Sequence, residues 1–371
     1  MTDSLRKAAG SAMVVGISGT ELTGLELAWL KLIQPAGVIL FQRNIDNAVQ
    51  TRALLEQATQ LCAPQSLRCV DLEGGSVDRL RVALAPMPSA QSVFTASEAA
   101  KKPALMRDHG TLVSRAVKAF GFNTTLAPVL DLGLPVSAKV MGTRVVSADP
   151  KKVAAYCGQF LAGLAAHKVV GCGKHFPGLG GGTLDSHLET PSIDRTMHEL
   201  TNDDLYPYCE LRDQLPMVMV SHAAYPLTPG GNRPASVSPY WVTTILRKRI
   251  GYCGLIFSDD LEMGGVLKFL PIEDAAIEAI RAGMDLIEIC HSPELILRAY
   301  EALIAEAERS KVFKTTLLIR NRQSARLRES HFARPTPPAL SAKQFTALKN
   351  DIHRFAATVA ASQPSAEGGP E

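Results

Sequence analysis

No stretch of the 371 residues holds the eighteen or so consecutive apolar side chains that a membrane-crossing helix needs. The opening residues, MTDSLRKAAGSAMVVGISG, have neither an adequate apolar stretch nor a small-residue cleavage site, so the expected address is the cytoplasm with no membrane partner. Cysteine pairs at C-x-x-C spacing are also missing. The seven cysteines, Cys62, Cys69, Cys157, Cys172, Cys209, Cys253 and Cys290, are odd in number and dispersed. That pattern argues against a dithiol or cysteine-metal site and suits small buried hydrophobes in a reducing compartment. The histidines do not stand at ligand spacing either, so no metal and no cofactor is expected. A dominant charge is lacking too: 39 Lys and Arg face 36 Asp and Glu, a net of +3 spread along the chain, which disfavours nucleic acid as a partner. The G-x-G-x-x-G turn of a dinucleotide sheet is absent, with Gly16-Ile17-Ser18-Gly19 only a weak imitation.

What the chain does have is 46% hydrophobic residues against 20% charged, ample for a large core. Short apolar runs alternate with longer segments of helical period: Met13 to Ile17, Gly37 to Phe41, Arg68 to Asp71, Thr125 to Leu130, Val169 to Gly173, Met217 to Ser221, Gly254 to Ser258 and Met284 to Cys290. Eight such runs predict an α/β protein, a (β/α)8 TIM-type barrel in a single domain over residues 1–362. A doubly wound open sheet shares the alternation but lacks its fingerprint here. Helices are expected over Asp149 to Ala166 and Thr196 to Leu211, and over Pro239 to Ile250 with Ser238 as its cap. The stretch from Arg334 to Pro338 reads as a connector, Ala342 to Ala361 as a further helix and Gln363 to Glu371 as a disordered tail.

Barrel enzymes place their chemistry where the strands end, so polar residues just after each run are the candidates. They are Asp71 and Glu73, Asp131, Lys174 and His175, His222, and Asp259 with Asp260. Taken singly, Asp71 or Asp260 could equally cap the next helix, and His222 could be a satisfied core residue. His109, His167, His198, His331 and His353 carry no motif and read as surface or helix residues. The most informative segment is Lys174-His175-Phe176-Pro177-Gly178-Leu179-Gly180-Gly181-Gly182-Thr183-Leu184-Asp185-Ser186-His187. Its glycines describe a flexible loop that delivers an acid–imidazole pair. No Gly-Lys-Ser/Thr follows them, which disfavours a phosphate cradle.

This segment resembles the family 3 glycoside hydrolases, in particular their single-domain bacterial β-N-acetylhexosaminidase branch, whose loop reads K-H-F-P-G-H-G followed by D-S/T-H. Four further stretches match in order. They are Val70-Asp71-Leu72-Glu73-Gly74-Gly75 through Arg79, Leu126-Ala127-Pro128-Val129-Leu130-Asp131, Gly142-Thr143-Arg144 through Ser147-Ala148-Asp149-Pro150, and Phe257-Ser258-Asp259-Asp260-Leu261. The resemblance implies a retaining glycosidase acting on a terminal β-linked N-acetylglucosamine, with Asp259 as nucleophile and His187 as acid/base beside Asp185. It further implies that Asp71, Arg79, Arg144, Lys174 and His175 hold the sugar. Asp260, next to the nucleophile, is expected to point away in a structural role.

By analogy the substrate is a muropeptide fragment of cell-wall recycling, the partner is a small carbohydrate, and the chain acts as a monomer. The alternatives are a β-glucosidase or phosphorylase with the same site, a non-catalytic sugar-binding barrel, or a nucleotide-dependent α/β enzyme. The sequence departs from the family pattern at Leu72, where Gln is usual, at Ser76, where Arg is usual, and at Leu179, which replaces a second loop His.

Overall fold

Runs of Val, Ile, Leu and Met that are apolar on both faces can only be covered on both faces, which is the requirement of a parallel sheet lined by helices. In the computed structural model, which describes residues 2–182, 190–332 and 338–363, these runs pair as eight parallel strands. They are β1 (Met13–Gly16), β2 (Gly37–Leu40), β3 (Leu67–Val70), β4 (Thr124–Thr125), β5 (Val170–Phe176), β6 (Met217–Val220), β7 (Leu255–Asp260) and β8 (Leu286–Ile289). Each strand pairs with the next, and β8 returns to β1 through Met13↔Ile287 and Val15↔Ile289, closing the barrel. Arg43 reinforces that seam by donating to the carbonyls of Ile17 (3.2 Å) and Cys290 (2.7 Å). The alternation thus yields the expected (β/α)8 barrel rather than an open sheet.

Side-chain alternation along the strands divides the core in two. Val14, Ile39, Cys69, Cys172, Met219, Phe257, Leu286 and Cys290 fill the barrel. Their neighbours, such as Val15, Val38, Val218, Ile256 and Ile287, pack outward against the helices. Within the odd-numbered strands the inward row continues upward as Cys69 then Asp71, Cys172 then Lys174, and Phe257 then Asp259. Polar groups therefore arrive at the strand ends on top of an apolar filling.

Local chemistry explains where the elements differ from expectation. The fourth run was expected over Thr125 to Leu130, yet only Thr124–Thr125 forms a regular ladder, because Pro128 has no N–H to donate. The chain still tracks β5, with the amides of Cys172 and Lys174 donating to Ala127 and Pro128 and the Leu130 amide donating back to Lys174. The helix Pro150–Ala166 starts as expected, its N-cap Asp149 accepting from the Lys151 amide. The expected helix from Thr196 to Leu211 is two short ones, Met197–Asn202 and Tyr206–Leu211. Pro207 cannot donate to a turn continuous with the first. The helix Tyr240–Arg249 is wound with π-type hydrogen bonds, and Ser238 contributes its carbonyl rather than a side-chain cap.

The helix Ala342–Ala361 docks on the barrel's outer layer through Phe345 against Phe120, Phe355 against His109 and an Asp351–Arg115 pair at 2.7 Å. His109 lies on a helix as expected but is fully buried. Residues 334–337 of the expected connector and 364–371 of the expected tail lie outside the described residues. No described helix is long and apolar enough to cross a membrane.

Candidate active site

The strand ends open into a cavity of about 420 Å³ that includes Asp71, Glu73, Arg79, Arg144, Lys174, His175, Leu179, Asp259, Asp260 and Glu288. On the β3–β5 side its charges are joined in one network. The Lys174 ammonium lies 2.9 Å from Asp71 and 2.7 Å from Glu73. Arg144 grips Glu73 with two parallel bonds, Nε to Oε2 at 2.8 Å and Nη2 to Oε1 at 2.9 Å. Burial alone would raise the Glu73 carboxyl, but Arg144 and Lys174 outweigh it and hold the group well below the ordinary carboxylate range. The same attraction holds Lys174 above its ordinary value despite burial. Arg79 reaches Asp71 at 3.8 Å and completes the rim.

His175 is fixed from behind by the fully buried Asp131. Asp131 accepts from the His175 ring Nδ1 at 2.6 Å, from the His175 amide, and from the Leu179 amide at 2.7 Å. On the other side of the ring, Nε2 faces Arg144 Nη2 at 3.4 Å.

The β7–β8 side is organised differently. Asp259 accepts the Asp260 amide at 2.9 Å. Burial raises its carboxyl, but His175, His222, that amide and Lys174 together bring it below its ordinary value, so it is ionised. Asp260, expected to face away, lines the same cavity. The reason is a register shift: Phe257 pairs with Leu286 but Asp260 with Glu288, so an extra residue is accommodated on β7. Burial pushes the Asp260 carboxyl up to about 7. His222 is fully buried, with Nδ1 2.7 Å from Ser236 Oγ and Nε2 2.9 Å from the Asp260 carbonyl. It is a strut for the end of β7.

Asp71, Arg79, Arg144, Lys174, His175 and Asp259 therefore come together at one mouth, as the sequence predicts, while Asp185 and His187 lie outside the described residues. The first part of their loop is pinned rather than loose. Tyr225 Oη donates to the Gly178 carbonyl at 2.8 Å, and Leu179 is held by Asp131. The glycines there serve close packing: a Cβ on Gly178 (φ +139°) would meet Asp204 at 2.7 Å, and one on Gly180 the Leu132 carbonyl at 2.6 Å. Of the three departures from the family pattern, only Leu179 lines the cavity; Leu72 is in the core and Ser76 is exposed.

Asp131, Glu73 and Glu288 are the site residues that sequence reasoning did not assign. Asp131 and Glu73 were visible as polar strand ends, but nothing local showed their partners. Glu288 is concealed inside the apolar run of β8, and its only signal was a carboxylate at an inward position. Asp260, Glu262 and His291 bring ligand-type atoms within 4.8 Å of one another. The Glu262 carboxylate there already accepts the amides of Cys290, His291 and Ser292. A larger cavity of about 860 Å³ lies elsewhere, lined in part by Lys118, Lys168, Arg212 and Phe332. It gathers none of the strand-end carboxylates, so volume is a poor guide to chemistry here.

Residues 17–324 match the model of the glycosyl hydrolase family 3 N-terminal domain. A β-hexosaminidase of Idiomarina loihiensis is 32% identical over 85% of this chain and 95% of its own length. A family 3 β-N-acetylglucosaminidase of Paenibacillus superposes with a TM-score of 0.84 at 26% identity, over 95% of this chain and 68% of that one. A Neisseria gonorrhoeae relative solved with N-trifluoroacetyl-D-glucosamine superposes with a TM-score of 0.71 at 28% identity, over 85% of this chain and 98% of that one.

Proposed function

The chain belongs to glycosyl hydrolase family 3 and is a glycosidase of the β-N-acetylhexosaminidase type, and from that premise we propose a double-displacement route with retention. Asp259 attacks the anomeric carbon while His187, beside Asp185, protonates the departing glycosidic oxygen. His187 then removes a proton from the water that releases the sugar from Asp259. The observation that carries this reading is Asp259 itself. Its carboxylate is ionised, lines the cavity, and is fixed by a backbone amide on a strand braced by His222. An imidazole suits the second role because its ordinary value near 6.5 lets it give and take a proton near neutrality.

Asp71, Arg79, Arg144, Lys174 and His175 bind the hydroxyls and acetamido group of the terminal sugar. Their charges are mutually satisfied, so they present oriented donors and acceptors without demanding a charged ligand. The outer rim carries Arg79, Lys139 and His291, cations or potential cations that suit a carboxylate-bearing aglycone such as a muropeptide fragment met in the cytoplasm during cell-wall recycling.

The test compares a chromogenic β-N-acetylglucosaminide with the β-glucoside, each with and without phosphate. Hydrolysis of the first alone is expected. Preference for the glucoside, or dependence on phosphate, would reassign the enzyme, and no turnover would leave a sugar-binding barrel. In His187→Ala, an activated aryl substrate should keep its first step better than a natural glycoside, and azide should rescue the second. Equal losses without rescue would move the acid/base role to another residue.

A further inference from the structure

Among the cavity carboxyls that take no part in this route, one stands in the barrel's own floor. Glu288 sits on the inward side of β8 between Leu286 and Cys290 and is 2% exposed. The other even-numbered strands or the segments that extend them bring Ile39, Leu126 and Met219 to the same cavity, all apolar. Glu288 is thus an acid in an otherwise greasy floor. Its Oε1 is buried and meets no hydrogen-bonding partner among the described residues.

The ionisable groups around Glu288 are Asp260 and Asp259 on β7, Asp71 at the end of β3, and Lys174 on β5, with the thiols of Cys69, Cys172 and Cys290. Lys174 already bonds Asp71 and Glu73. Ionising Glu288 would add another carboxylate to three, facing one committed cation in an apolar setting. Its stable form is the neutral acid, and burial acts in the same direction by raising its pKa well above the ordinary value. A neutral carboxyl differs from an ionised one in a chemically decisive way: it carries an O–H donor. An unpaired buried donor is destabilising, and the open side of Glu288 is the cavity, where a bound molecule can supply the acceptor.

We propose that Glu288 donates a hydrogen bond to one hydroxyl oxygen of the sugar bound in this cavity and selects the sugar by that hydroxyl. The inference rests on the glycosidase reading above and adds a specificity determinant to it. A site built to bond a hydroxyl rejects the analogue that lacks it, because its own buried group is then left unpaired.

The test pairs three enzymes, wild type, Glu288→Gln and Glu288→Leu, with an aryl β-N-acetylglucosaminide and analogues in which each free ring or hydroxymethyl O–H is removed in turn. Glu288→Leu should lower kcat/KM for the complete sugar by roughly 10- to 100-fold. One deoxy analogue should show a comparable loss with wild type and little further loss with Glu288→Leu, the non-additivity expected of two groups in contact. Glu288→Gln keeps an N–H donor and should stay within about fivefold of wild type at neutral pH.

Thermal melting separates this role from a structural one. Glu288→Leu removes an unpaired polar group and should melt no lower than wild type. Additive losses with every analogue, or equal defects in Gln and Leu, would overturn the proposal while leaving the glycosidase reading intact. Absence of turnover by wild type with every N-acetylglucosaminide would instead overturn that reading and this proposal with it.

Discussion

On the β3–β5 side of the mouth, Asp71, Glu73, Arg144 and Lys174 are joined by contacts of 2.7 to 2.9 Å. On the β7–β8 side, Asp259, Asp260 and Glu288 crowd together with few opposite charges. The first arrangement favours every charge within it and so fixes geometry. The second drives its members apart in protonation, leaving Asp259 ionised while Asp260 and Glu288 hold protons more tightly than usual. The lesson is that one rim can be both template and reagent when pairing is confined to half of it.

The largest effect should come from the unpaired side. Asp259→Asn should lower kcat by about 10⁴ with every glycoside, because no glycosyl-enzyme can form; steady-state assays that found a loss of only a few-fold would break the contrast. Next comes the paired side. Glu73→Gln removes the carboxylate shared by Arg144 and Lys174 and should cost about 3–5 kcal/mol of stability in urea unfolding. The sign follows from its lowered pKa. Ionised Glu73 contributes fully above its ordinary value of 4.5, and that contribution fades only as pH falls toward the depressed folded value.

Asp260 should behave inversely. Its folded pKa of about 7 exceeds the ordinary 3.8, so wild-type stability should decline as pH rises between those values. Asp260→Asn should lack that decline and gain on the order of 2 kcal/mol relative to wild type by pH 8. Parallel melting curves across that pH range would show that Asp260 is not strained. The smallest effect belongs to the strut beneath both. Ser236→Ala removes one neutral hydrogen bond from His222 and should cost about 1 kcal/mol, with a few-fold change in kcat. A larger loss of activity than of stability would assign His222 more than support.

Periodicity revealed the barrel because each strand is apolar on both faces, and the fold then made every strand end a candidate. Asp71, Lys174, His175 and Asp259 were readable for that reason. Partnerships were not. Glu73 meets Arg144 across 71 positions and Asp71 meets Lys174 across 103, separations that carry no local signal. Asp260 was misplaced because strict alternation assumes no register shift, and the shift is set by the neighbouring strand. Glu288 is hidden in the sequence because five apolar residues in the run from Met284 to Cys290 outnumber its two carboxylates, Asp285 and Glu288, whereas the meaning of Glu288 depends on what the barrel places opposite it. Pro128 was the one local sign that the fourth run would not pair throughout.

The seam between β1 and β8 bears on how the chain is made. β1 leaves the ribosome before the other seven barrel strands, yet its partner on one edge is more than 260 residues away in sequence. At typical synthesis rates of about 5–20 residues per second, that edge stays unsatisfied for roughly a quarter of a minute to a minute. Throughout that interval Met13–Gly16 is a short apolar strand with an open hydrogen-bonding edge, able to pair with another nascent chain. The last of the eight barrel strands to be synthesised is therefore also the one that ends the exposure of that edge to misassembly, and Arg43, which bridges Ile17 and Cys290, can fasten the closure only then.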